Sequence, residues 1–89
     1  MKAVVTVIGH DEVGIIAAVS SYLAENSVNI LDISQTIMAD IFTMIMMVDI
    51  KEAKVPFAEL AEGLSKVGEK CKVSASIQSE KIFNSMHRI

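Results

Sequence analysis

Ala3-Val4-Val5-Thr6-Val7-Ile8 runs into Gly9-His10-Asp11-Glu12-Val13-Gly14, and an apolar-periodic segment from Ile15 to Leu23 leaves it. The first run is β-branched and nearly continuous, which reads as a central strand buried on both faces. In the segment that follows, Ile15, Ile16, Val19, Tyr22 and Leu23 recur at helical spacing. A strand that stops at Gly9 and turns straight into a helix exposes the first free N–H groups of that helix. Those donors, with the positive end of the helix dipole, suit an anion such as a carboxylate. Gly14 has no side chain, so a ligand can touch the backbone there. The same residues also read as no more than a tight strand-to-helix turn. The helix is expected to begin near Asp11 or Glu12, where acidic residues favour the dipole, and to end near Asn26-Ser27.

Working outward, Asn29 to Met38 is a second strand. Leu31, Ile33 and Ile37 fall on one face with Gln35; Asp32, Ser34 and Thr36 fall on the other, between Ile30 and Met38. Such one-sided patterning suits an edge strand with one wet face. Ala39-Asp40 is a short hairpin connection without a strong turn signature. From Ile41 to Ile50 a third strand alternates Phe42, Met44, Met46, Val48 and Ile50 with Ile41, Ile45 and Met47, so both faces are apolar and the strand is expected to be central. Pro56 suits the first turn of a second helix, in which Phe57, Leu60, Ala61, Leu64 and Val67 recur at helical spacing and which Gly68 is expected to close. Val73, Ala75 and Ile77 alternate with polar residues in a fourth strand, and Ile82, Phe83, Met86 and Ile89 mark a short helical tail.

The order is β-α-β-β-α-β plus a tail. This predicts an α+β, ferredoxin-like fold: a four-stranded antiparallel sheet with two helices on one face and a short C-terminal helical tail. That topology places the first and third strands centrally, and those are the two runs that read as buried on both sides. Residues 1–89 form one domain, with a core over 2–79 and the tail over 80–89. With both helices on one face, the opposite face exposes Met and Ile side chains that the tail, a second subunit or both must cover. A homodimer is expected.

Composition narrows the function classes. The 89 residues are 52% hydrophobic and 21% charged, somewhat apolar for so short a chain, which also points to self-association. A net charge of −3 argues against nucleic acid, which needs clustered Lys and Arg. The single cysteine excludes an internal disulfide and fits a reducing cytoplasm. Met1-Lys2 runs directly into a strand pattern with no signal-peptide cleavage site, and the apolar run Ile41 to Val48 is too short to span a bilayer.

Gly9-His10-Asp11-Glu12-Val13-Gly14-Ile15 after the first strand, with Val28-Asn29-Ile30 opening the second, resembles the ACT domain, a small-molecule-sensing module. The resemblance spans residues 2–79. A narrower one adds Asp32-Ile33-Ser34-Gln35-Thr36, Phe42-Thr43-Met44 and the ending Ile82-Phe83-Asn84-Ser85-Met86-His87-Arg88-Ile89. That set is similar to the stand-alone single-ACT-domain proteins of bacteria and archaea, the UPF0237 group. The resemblance implies a regulatory domain that binds an amino acid or similar small molecule at a subunit interface and alters an enzyme or regulator. It also implies ligand contacts from Asp11, from Gly14 with the Val13 and Ile15 backbone, and from Asn29. Serine-sensing relatives usually carry Asn where this chain has Asp11. A carboxylate there repels a ligand carboxylate but accepts from a ligand ammonium, so the ligand or its orientation is expected to differ. Asn29 offers donors and acceptors and suits either end of an amino acid, or it is a turn residue before a strand.

His10 belongs to the ligand-contacting set, or it is a plain surface histidine. No metal or other cofactor is expected: His10, Asp11 and Glu12 are adjacent, point in different directions and have no spaced partner. Cys71 reads as a passive thiol, and Asp40 and Asp49 flank the third strand at opposite ends rather than forming a catalytic pair. Met38, Met44, Met46 and Met47 suit an adaptable surface, a core or a dimer interface. His87-Arg88 reads as a solvated terminus, or as a partner or anion contact. RNA recognition would want aromatics and positive charge, and aromatics are 4% here. A copper chaperone would carry two cysteines in the first loop, and an acylphosphatase-like enzyme an early arginine; neither is present. No catalytic constellation emerges, so an enzyme is not expected. The remaining rival is a ligand-free structural dimerisation or protein-interaction module. Neither nucleic acid nor membrane is expected as a partner.

Overall fold

Two strands apolar on both sides form the centre of the sheet, as hydrophobic periodicity requires. The computed structural model describes residues 1–10 and 14–81. Its elements are β1 (Lys2–His10), α1 (Ile15–Glu25), β2 (Asn29–Met38), β3 (Ile41–Asp49), α2 (Phe57–Cys71) and β4 (Val73–Ser79). The sheet order is β2-β3-β1-β4, every neighbouring pair antiparallel. This is the ferredoxin-like arrangement with β1 and β3 inside. The two pair without a break from Lys2↔Asp49 to His10↔Ile41.

Ala3, Val5 and Val7 of β1 and Phe42, Met44, Met46 and Val48 of β3 form one buried layer. Ile15, Val19 and Leu23 of α1 and Leu60 and Leu64 of α2 close over it, joined by Ala75 and Ile77 of β4. Fully burying a side chain of that size contributes about 1.5–3 kcal/mol relative to leaving it in water. On the opposite, open face Ile8, Ile41 and Ile45 are exposed, whereas Val4, between Met47 and Gln78 in the register, is only 2% exposed. No helix among the described residues is long and apolar enough to cross a membrane.

Several boundaries differ from the sequence expectation. β1 does not stop at Gly9. It continues to His10, and Gly9 pairs with both Phe42 and Val73. A Cβ on Gly9 would lie 2.5 Å from Val73 Cγ1, so this glycine serves a close strand contact rather than a turn. Helix α1 starts at Ile15, with no acidic residue in its first turn, because Gly14 adopts a left-handed backbone at φ 92° that helical geometry cannot extend through. Asp11, Glu12 and Val13 lie outside the described residues, as does the tail from Ile82 onward, including His87 and Arg88. Helix α2 passes through Gly68 and ends at Cys71, with Lys72 supplying the left-handed cap at φ 60°. A Cβ on Gly68 would meet Val73 O at 2.8 Å and Ala75 at 3.0 Å, so the glycine lets the helix lie directly on β4. Pro56 is the residue before the first turn of α2 rather than within it.

β2 is the edge strand expected, but neither of its faces is covered: all ten residues are exposed. The register also shifts, with Ile30 opposite Val48 and Asp32 opposite Met47. Leu31 is therefore an extra, bulged residue. Ile30 crosses to the helix-side row with Ile33 and Ile37, opposite Val48, Met46 and Phe42. At the far end Ala39 and Asp40 both take positive φ, 49° and 68°, the two-residue turn whose twist matches a hairpin. Asp40 and Asp49 do lie at opposite ends of β3.

Two stability predictions follow from this packing. Gly68→Ala gains up to about 1 kcal/mol of helix propensity but overpacks a backbone contact, which costs about 1–3 kcal/mol. The urea midpoint is expected to fall; a rise would mean that α2 does not rest on β4 at this point. Asp49 Oδ1 accepts from Lys51 N–H at 2.9 Å and lies 3.4 Å from the Met1 ammonium. The Lys51 hydrogen bond foremost, aided by the terminal charge, holds this carboxyl below the usual range. Its contribution is present above the ordinary carboxylate pKa and is lost as pH falls through the lowered folded value. Asp49→Asn should therefore lower Tm slightly near neutrality and not at all in acid; an equal loss at every pH would contradict the assignment.

Candidate functional site

Gly14 marks the junction between strand and helix. Its left-handed conformation (φ 92°, ψ −1°) precedes Ile15 directly, and among the described residues no side chain caps the helix. The first bond inside the helix runs from Ala18 N–H to Gly14 O at 2.9 Å. The N–H groups of Ile15, Ile16 and Ala17 therefore have no acceptor within the helix. They share the positive end of the α1 dipole, and no acidic side chain in the first turn neutralises it. Among the described residues nothing lies within 4 Å of where a Cβ on Gly14 would be. The positive φ excludes most L side chains whatever the space.

The neighbouring side chains divide by burial. Ile15 is 2% exposed and belongs to the core, so it offers only its N–H to a ligand. Ile16, read from sequence with the core stripe, is instead exposed on the first turn of α1. A second apolar residue adjacent to Ile15, rather than three or four positions along, was the available signal. His10 is exposed at the last position of β1, opposite Ile41. Asp11 and Val13 lie outside the described residues.

Asn29 is not near this junction. It opens β2 opposite Asp49, which pairs with Lys2 on its other side. His10 is in the row of Ile41 and Met38, at the other end of the sheet. Eight residue steps along β1 separate the two rows, about 27 Å at strand rise. One chain therefore does not bring Asn29 together with His10 and Gly14.

Two concavities are formed by other described residues. One groove runs between the helices along Tyr22, Asn26 and Glu62, and a shallow apolar dip lies on the open sheet face around Val4, Ile45 and Met47. Among the described residues no three His, Cys, Asp or Glu side chains gather in a way that could hold a metal ion. Cys71 is half-buried at the end of α2, without a disulfide partner.

Comparison with known proteins agrees with this geometry. The sequence model of the ACT domain matches residues 2–78. A UPF0237 protein of Methanocaldococcus jannaschii is 57% identical over 88 residues, 99% of this chain and 98% of its own. Among solved structures, an ACT domain protein from Streptococcus pneumoniae superposes with a TM-score of 0.82 at 42% identity, covering 93% of each chain. The regulatory subunit of aspartate kinase from Thermus thermophilus superposes with a TM-score of 0.65 at 26% identity, over 86% of this chain and 50% of that one. With the topology, the matched span and near-complete coverage of such relatives in agreement, the chain belongs to the ACT-domain family and, within it, to the UPF0237 group.

Proposed function

We propose that this chain is a non-enzymatic regulatory domain that binds an amino acid or similar zwitterion between two copies of itself and so modulates a partner enzyme or regulator. The observation that carries the reading is the start of α1, where three N–H groups have no acceptor within the helix, the first turn holds no acidic residue, and Gly14 carries no side chain. In the reading offered here, a ligand carboxylate takes those N–H groups. Asp11, a carboxylate in the same stretch, suits the ligand ammonium.

Asn29 supports a shared site. Within one chain its row is about 27 Å from that of His10. If two β2 strands pair antiparallel about Ser34, with Leu31 bulged out of the pairing, Asn29 of the partner subunit falls opposite Met38, in the row of Ile41 and His10. Three strand spacings, about 15 Å, then separate it from His10, and the side chains and a ligand narrow that gap. The wholly exposed β2, with apolar Ile30, Ile33, Ile37 and Met38 along it, suits such pairing. A ligand held by two subunits stabilises one dimer geometry, and a partner reads that geometry. The regulatory role named for the aspartate kinase subunit is consistent with this class of output.

Thermal unfolding against a panel of free amino acids, at fixed protein concentration, tests the proposal. A ligand at 100 times its Kd adds about 2.7 kcal/mol, a rise of several degrees in a domain this small. One compound is expected to raise Tm, and Gly14→Val is expected to abolish that rise while the dimer persists. No rise with any compound at millimolar concentration, with the dimer intact, would favour a structural dimerisation module instead.

A further inference from the structure

At the opposite end of α1 from Gly14, the two helices leave a groove of about 310 Å3 whose lining includes Tyr22, Asn26, Glu59, Glu62, Gly63 and Lys66. Gly63 keeps it open. A Cβ there would collide with the Tyr22 hydroxyl, so mid-helix Gly63 gives up helix propensity to seat the phenol.

The polar groups of this groove are not balanced. Tyr22 Oη donates its hydrogen to Leu60 O at 3.3 Å, which leaves lone pairs. Asn26 Nδ2 donates to Tyr22 O at 3.0 Å, so its amide is oriented by that bond and its Oδ1 remains an acceptor. Lys66, the cation of the lining, lies 3.5 Å from Glu62 Oε1. Glu59 has no ion-pair or hydrogen-bond partner among the described residues, and its charge, after burial, helps hold the Tyr22 phenol protonated to higher pH. A separate feature has the same sign. Tyr22 and Asn26 belong to the last turn and C-cap of α1, the negative end of its dipole, and that turn has no basic residue.

A groove that presents the Tyr22 and Asn26 side-chain acceptors beside the exposed Glu59 carboxylate, at the negative end of a helix dipole, suits an occupant that donates hydrogen bonds and carries positive charge. We propose that it binds a small organic cation with an alkylammonium or guanidinium head. This site is independent of the Gly14 junction, so the two ends of α1 would take groups of opposite charge.

The test is titration of the 15N-labelled full chain with 1,4-diaminobutane, followed through amide resonances at about 0.15 M salt, with 1,4-butanediol as the uncharged control. Saturable shifts at Tyr22, Asn26 and Gly63 are expected for the diamine and none for the diol. Glu59→Gln is expected to weaken binding roughly tenfold, the scale of one charge-assisted hydrogen bond. Gly63→Ala should displace the phenol into the groove and abolish binding. Tyr22→Phe, which keeps the ring, should weaken it without unfolding the chain. Absence of saturation by about 10 mM, shifts spread over all acidic residues, or equal affinity in Glu59→Gln would overturn the proposal. Gly14→Val should leave this binding unchanged, which separates its outcome from that of the amino-acid site.

Discussion

The pairing of β1 with β3 is the constraint on which the remainder depends. Nine residue pairs run without a bulge, and alternate ones are fully buried between the sheet and both helices. Because this ladder is straight and central, it sets the length of the molecule. It sends the chain into α1 at one end and starts β2 at the other. The strand-to-helix junction and Asn29 are thus kept apart by the element that carries the core, and no local adjustment of loops brings them together.

That separation gives the edge strand its significance. β2 hydrogen-bonds to β3 along one side and is exposed on both faces, with isoleucines toward the helix side and Asp32, Ser34 and Thr36 toward the other. An edge of this kind needs a partner or a protective device, and the bulge at Leu31 is the one device among its described residues. In the proposed dimer, the pairing that satisfies the edge also completes the ligand site. Folding economy and function then follow from the same contact, and a ligand that bridges the subunits acts on association as well as on shape.

The sheet order and both helices were legible in the residues because their signals are periodic. Alternation through 41–50 and 73–78 and the stripes Ile15-Val19-Leu23 and Leu60-Leu64 need no knowledge of what packs against them. The glycines were not legible in the same way. Gly9 and Gly68 read as punctuation, yet each is a place where another strand approaches too closely for a Cβ, and that neighbour is distant in sequence. The Leu31 bulge has no local signature, so the faces of β2 were assigned by strict alternation and Ile30 was put on the wrong side. At the candidate site, Gly14 was singled out in the sequence for its missing side chain, whereas its left-handed conformation directly before α1 emerged only from the structure. The exposure of Ile16 and the distance to Asn29 depend on tertiary placement.

The central claim is that each ligand site takes its loop from one subunit and Asn29 from the other. Complementation between two inactive variants tests it directly. Gly14→Val chains and Asn29→Ala chains, each unable to bind the ligand alone, are mixed, unfolded and refolded together so that mixed dimers form. If sites are shared, a mixed dimer contains one intact site and one doubly altered site, and calorimetry should recover binding at one site per mixed dimer with the original affinity. If the mixed dimers form and bind nothing, each site lies within a single chain and the account is wrong.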